Sequence, residues 1–295
     1  MVKVKGSITP VVTPFDAEEE VDEEALRGIV DYLIEGKVDA LFAAGTAGGF
    51  YLMTPDERKR VVDLIVRQSR GRVPVYAGTG GITVRENVDL AKHARDIGAD
   101  AAVVLTPYYV KVEDEELFRY FTAIAEAVDM DVILYNNPAR AGNNVSPSLL
   151  ERIVKENSNV IAIKDSSGDL VQYGEYIMKV GKKISLVSGK DELMLASLAM
   201  GGDGVVSAVS NVVPELVFDL FDSFAKGNIE RAREIQSRIS ILKKSFGGAA
   251  YPAPILAALD LVGVISGKPR LPVMTLKEDQ KEKIREALRT IGKLE

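Results

Sequence analysis

The chain has 295 residues, 46% hydrophobic and 27% charged, with a formal net charge of −6, one histidine and no cysteine. An acidic balance without a basic block argues against a nucleic-acid partner; the lack of cysteine excludes disulfides, thiolate catalysis and zinc–thiolate sites. No apolar run reaches the roughly 18–20 residues that a membrane span needs, and the opening MVKVKGSITP has no signal-peptide core, so the cytoplasm is the expected location.

Taken in order, the chain alternates between two patterns. Apolar, β-rich runs occupy residues 7–15, 40–45, 73–78, 101–107, 131–136, 160–164, 185–189 and 204–210. Between them lie amphipathic segments with apolar residues at i, i+3 and i+4, each predicting a helix. Segment 22–35 carries Leu26, Ile29, Val30 and Leu33 on one stripe. Segment 54–68 opens with Thr54-Pro55-Asp56-Glu57, an N-cap followed by proline at the first helical position and glutamate three residues on. Segments 114–127, 146–156 and 192–200 repeat the pattern. The only histidine, His93, sits mid-helix in segment 90–97, where it reads as a surface or packing residue.

Strand–helix alternation eight times over means parallel strands joined by helical crossovers. The predicted fold is therefore α/β, a (β/α)8 TIM barrel. An open doubly wound sheet is the alternative, but it would carry a glycine-rich turn after the first strand, and residues 7–16 have none. Beyond residue 211 come four further helical patterns, at 213–226, 229–244, 254–262 and 277–292. They exceed what one closing helix needs. The expected organisation is a barrel over residues 1–225 and a C-terminal helical extension over 226–295.

Function in such a barrel sits at the C-terminal ends of the strands. Strand six ends in Val160-Ile161-Ala162-Ile163-Lys164, then turns through Asp165-Ser166-Ser167-Gly168. Period-2 alternation puts Ala162 and Lys164 on one face and Ile161 and Ile163 on the other. Lysine is almost never fully buried without a reason. Burial disfavours the ammonium, and a neutral amine attacks carbonyls. A lysine reaching back into water is the plainer alternative. The neighbouring strand ends offer Thr46, Tyr109, Tyr135, Arg140 and Gly189-Lys190-Asp191. A nucleophilic amine, phenols, a hydroxyl and a cation together suit a Schiff base with a 2-oxo acid. The glycine-rich turns 45–49 and 78–81 match no dinucleotide fingerprint, and Gly189-Lys190 lacks the spacing of a P-loop.

The ordered set Thr13-Pro14-Phe15, Gly45-Thr46-x-Gly48, Thr106-Pro107-Tyr108-Tyr109, Tyr135-Asn136-x-Pro138, Ile163-Lys164-Asp165, Ser188-Gly189-x-Asp191, Gly201-Gly202-x-Gly204-Val205-Val206-Ser207 and Leu271-Pro272 spans nearly the whole chain. It resembles the pyruvate-dependent class I aldolases and lyases, a family that includes dihydrodipicolinate synthase, N-acetylneuraminate lyase and 2-keto-3-deoxygluconate aldolase. The resemblance implies that Lys164 forms an imine with pyruvate and that Tyr135 acts as acid and base. It implies a hydroxyl relay through Thr46 and Tyr109, the tyrosine reaching in from a neighbouring subunit of a homodimer or homotetramer. Backbone N–H groups of Thr46 and Ala47 would hold the pyruvate carboxylate, and Gly189 and Val206 would line the ketone pocket. No cofactor and no metal are implied; the partners are pyruvate and an aldehyde.

Two departures from the commonest family pattern are Ala47, in place of a second threonine, and Gly49, in place of an acidic residue. Arg140 stands where dihydrodipicolinate synthases carry an arginine for a substrate carboxylate. It favours condensation of pyruvate with aspartate semialdehyde, forming 4-hydroxy-tetrahydrodipicolinate. The Ala47-Gly48-Gly49 turn and the tail after Lys164 resemble the sugar-acid aldolases at least as well. A 2-keto-3-deoxy sugar-acid aldolase is the alternative, and a non-catalytic barrel that binds a 2-oxo acid is the distant one.

Overall fold

The computed structural model describes residues 4–295. The first three residues of the MVKVKGSITP segment, which also open the expected 1–225 barrel, lie outside it. Eight strands form a closed barrel in chain order: β1 (Gly6–Pro10), β2 (Ala40–Ala43), β3 (Val75–Gly78), β4 (Ala101–Leu105), β5 (Asp131–Asn136), β6 (Val160–Asp165), β7 (Ser185–Ser188) and β8 (Gly204–Val206). The strand pairs are parallel. Helices α1 (Glu23–Glu35), α2 (Pro55–Ser69), α3 (Val84–Asp96), α4 (Asp114–Ala127), α5 (Pro138–Ala141), α6 (Pro147–Glu156), α7 (Leu170–Val180) and α8 (Met194–Ala199) fall between them, and α9 (Pro214–Ala225), α10 (Ile229–Ser245), α11 (Ala253–Leu261) and α12 (Glu278–Thr290) follow. This is the predicted (β/α)8 barrel with its C-terminal helices. Among the described residues no helix is long and apolar enough to cross a membrane.

By internal packing the chain falls into two compact units. One contains Tyr76–Val206 together with the described residues up to Gly6; the other contains Ser7–Val75 and Ser207–Glu295. In the first, Ala102, Val104, Val132, Leu134, Ile163 and Leu186 of the strands bury against Leu117, Phe121, Ile124, Leu149, Ile153 and Tyr176 of the helices. Alternate strand residues supply one layer and the i, i+3, i+4 stripe of each helix supplies the other. Truncating one of these leucines or isoleucines to alanine costs about 2–5 kcal/mol.

In the second unit, Asp22 caps α1 by accepting from the Ala25 N–H at 3.0 Å. Thr54 and Glu57 form the expected capping box on α2, with the Glu57 carboxylate accepting from the Thr54 N–H at 2.7 Å. Helix α10 packs on α9 and α12. Five strands stop earlier than their apolar runs suggest, β2, β4 and β7 by one or two residues and β1 and β8 by four or more. After Pro10, the Val12 N–H is taken by the Asn211 side chain at 3.1 Å, so residues 11–15 are a buried loop. After Val206, Ser207 and Ser210 bond to each other's backbone at 3.0 and 2.6 Å and fold the chain into a 3₁₀ turn. In both places side-chain bonds compete successfully with a ladder. Helix α3 starts six residues earlier than its apolar stripe, because Thr83 caps it by accepting from the Glu86 N–H at 3.2 Å.

Arg270 donates to Glu57 at 2.7 Å and to the Leu52 carbonyl at 3.0 Å. The Arg270 hydrogen bond is the main reason the Glu57 carboxyl is held down to about 2. In the unfolded chain it titrates near the usual value of about 4.3. The stabilisation is therefore complete above that pH and is lost as pH falls toward 2. Glu57→Gln should cost about 1 kcal/mol at neutral pH, since solvent screens a partly exposed pair. Denaturant melts of both proteins should converge as the pH approaches 2; a constant gap would mean that the ion pair contributes nothing.

Candidate active site

Tyr135 and Lys164 are direct neighbours across β5 and β6. The shared register puts both on the same face of the sheet, at its C-terminal edge. The Lys164 Nζ lies 3.8 Å from the centroid of the Tyr135 ring. Lys164 is 6% exposed and Tyr135 4%. Burial pushes the pKa of Lys164 down, while the Tyr135 phenol and the Asp191 carboxylate pull it partly back up. At a given pH a larger share of this amine is uncharged than in an ordinary surface lysine, and only the uncharged amine can add to a carbonyl. The Tyr135 hydroxyl accepts a hydrogen bond from the Asn137 side-chain amide at 2.9 Å.

Gly189 follows β7, the other neighbour of β6. A Cβ at this position would lie 2.0 Å from the Ser166 Oγ and 3.0 Å from the Lys164 Cε. Only glycine lets the β7–α8 loop pass this close to the lysine. Its N–H donates to the Asp165 carbonyl at 2.7 Å. Val206 is the last residue of β8 and is buried.

The remaining candidates stand differently. Arg140 is exposed on the single turn α5. Tyr109 follows β4, with φ of +76° and 95% of its surface exposed. A left-handed backbone is costly for a bulky residue, and such strain clusters at functional positions. Thr46 and Ala47 belong to the second unit, in the tight turn after β2. There Thr46 is half-buried and Ala47 buried. A Cβ on Gly48 would come within 2.6 Å of the Val11 carbonyl oxygen, so the backbone packs closely at this turn. Among the described residues no group of three or more His, Cys, Asp or Glu side chains is placed to hold a metal ion.

Two polar residues beside the pair carry no role in the sequence reading. Asp191 is buried, and its charge acts on Lys164. Asn137 touches the Tyr135 hydroxyl. Asp191 stands out in the sequence as part of Ser188-Gly189-x-Asp191, whereas the only sequence signal for Asn137 is a polar residue directly following the buried strand β5.

A sequence model described as the dihydrodipicolinate synthetase family matches residues 3–291. The chain is 38% identical over 293 residues to a 4-hydroxy-tetrahydrodipicolinate synthase of Methanopyrus kandleri, covering 99% of this chain and 98% of that one. The dihydrodipicolinate synthase structure from Thermotoga maritima superposes with a TM-score of 0.95 at 33% identity, over 99% of this chain and all of that one. YagE of Escherichia coli K12, a prophage protein of the same family solved in complex with pyruvate, gives a TM-score of 0.93 at 31% identity, over 97% and 98% of the two chains.

Proposed function

Because this chain belongs to the dihydrodipicolinate synthetase family, we propose that it is a lyase that carries pyruvate as an imine on Lys164 and condenses it with aspartate semialdehyde. The observation that carries the proposal is the buried amine of Lys164, 3.8 Å from the ring of its register partner Tyr135. The Nζ lone pair attacks the ketone carbon of pyruvate. The Tyr135 hydroxyl delivers a proton to the leaving oxygen, water departs, and an iminium remains. That iminium draws electrons from the adjacent methyl, which loses a proton to give an enamine. The enamine carbon then adds to the aldehyde, and hydrolysis returns the amine.

An ordinary phenol has a pKa near 10 and works at neutral pH only with a relay. In this family Thr46 and Tyr109 fill that position, the tyrosine across a subunit interface. The exposed, left-handed Tyr109 supports such a homodimer, which could pair again into a homotetramer. Backbone N–H groups of Thr46 and Ala47 hold the pyruvate carboxylate, while Gly189 and Val206 line the ketone pocket. Of the expected 1–225 span, residues 4–225 form the catalytic barrel, and 226–295 form an extension packed on it. The cytoplasm is the compartment this reading proposes.

Arg140 binds the carboxylate of the acceptor, a task its planar fork suits. A second reading, a 2-keto-3-deoxy sugar-acid aldolase, is favoured by Ala47. Its buried methyl replaces a hydroxyl contact, and a hydrogen bond to a charged group is worth about 1.5–3 kcal/mol. A panel assay separates the two. Pyruvate condensation with aspartate semialdehyde should exceed cleavage of 2-keto-3-deoxygluconate, and Arg140→Ala should lower kcat/KM for the semialdehyde by roughly 10- to 100-fold. Equal losses with a neutral sugar aldehyde would mean that Arg140 is not the discriminator, and faster cleavage of 2-keto-3-deoxygluconate would assign the enzyme to the second reading.

A further inference from the structure

One residue beyond the Tyr135–Lys164 pair lies a second cross-strand pair. Asn136 and Asp165 are register partners on the opposite face of the same two strands. Both are buried. The Asn136 Nδ2 donates to the Asp165 Oδ1 at 2.8 Å and to the Asn144 Oδ1 at 2.8 Å. The Asn136 Oδ1 accepts from the Val145 N–H at 3.0 Å. The other Asp165 carboxylate oxygen accepts from the Ser167 hydroxyl at 2.6 Å. Backbone bonds from the Ser166 N–H to the Asn136 carbonyl, at 2.8 Å, and from the Gly189 N–H to the Asp165 carbonyl, at 2.7 Å, tie β5, β6 and β7 together at this level.

Lower in the barrel the same strand pair is irregular. Val132 pairs with Val160, but Ile133 pairs with Ala162, so Ile161 has no partner on β5. A slip of one residue exchanges the two faces of a strand. Above the bulge the ladder is regular, from Ile133–Ala162 through Tyr135–Lys164 to Asn136–Asp165, and the upper pair pins that register with a side-chain bond as well.

We propose that Asp165, acting through Asn136, is a positioning residue that fixes the β5–β6 register and so holds the Lys164 amine against Tyr135. Neither side chain reaches the reacting atoms, because both point away from that face. Burial pushes the Asp165 carboxyl up, while the Ser167 and Asn136 bonds pull it down. What the position requires is therefore an acceptor for Asn136, which an amide can also be. The proposal rests on Lys164 being the imine-forming residue, as proposed above.

The test compares Asp165→Ala and Asp165→Asn with the wild-type chain. The readouts are kcat, KM for pyruvate, the rate at which borohydride traps the pyruvate adduct, and the melting curve. Misplacing a reacting group by an ångström can cost about 100-fold, so Asp165→Ala should lower kcat and the trapping rate roughly 10- to 100-fold, with KM nearly unchanged. In Asp165→Asn the amide oxygen accepts from Asn136 and its NH2 donates to the Ser167 hydroxyl. That variant should recover to within about fivefold of wild type. Wild-type kcat in a folded Asp165→Ala, a parallel rise in KM, or an asparagine variant as slow as the alanine one would each overturn the proposal. If Asp165→Ala does not fold, Ser167→Ala decides; it removes the 2.6 Å bond to Asp165 and the 3.1 Å bond that the hydroxyl accepts from the Asp169 N–H, and leaves the Asn136–Asp165 pair in place. It should lower kcat a few-fold, and an unchanged kcat overturns the proposal. A wild-type chain that borohydride and pyruvate fail to trap removes instead the function on which this rests.

Discussion

Lys164→Ala should abolish condensation, lowering kcat by about 10⁴-fold or more, because it removes the amine proposed to form the imine. Lys190, on the loop after β7, is only half-buried and does not share the Tyr135 register. Lys164→Arg should be equally inactive, since a guanidinium stays protonated and cannot add to a ketone. Folding gives the opposite result. A lysine whose pKa is lowered by burial binds fewer protons in the folded chain than in the unfolded one. It therefore costs stability at neutral pH, and the cost fades as pH rises toward the ordinary lysine value of about 10.4. Lys164→Ala should melt no lower than wild type at pH 7 and should lose the alkaline part of the stability rise. Activity lost together with stability would point to a structural lysine instead.

Tyr135→Phe should lower kcat by roughly 10²- to 10³-fold, the usual worth of a positioned acid–base group. The ring remains, so the contact with the Lys164 Nζ survives, and only the hydroxyl goes. The Asn137 amide loses its acceptor, which costs about 1–3 kcal/mol in a buried setting. Stopped-flow absorbance of imine formation and steady-state turnover should slow together, while the circular dichroism spectrum stays that of the wild type. Unchanged turnover would take Tyr135 out of the proton transfers.

Much of this was legible in the chain because the signals were local. Alternation over residues 160–164 placed Lys164 on one face without reference to any other strand. Thr54 and Glu57 announced the start of α2 by a bond that spans three residues. The eightfold strand–helix alternation implied the barrel. What stayed hidden depends on contacts between distant residues. Asn136 and Asp165 are separated by 29 positions, and their meeting depends on a register that contains a bulge. The early ends of β1 and β8 depend on serine and asparagine side chains that outcompete the ladder at apolar runs. The left-handed backbone at Tyr109 had no composition signal at all, since tyrosine does not favour it.

The proposed chemistry turns on an amine that burial leaves uncharged often enough to bond a keto acid. Incubating the chain with pyruvate and borohydride, then mapping the modified peptide by mass spectrometry, tests this directly. A reduced pyruvyl group on Lys164 is the predicted result. A label on Lys190, or none, would contradict it.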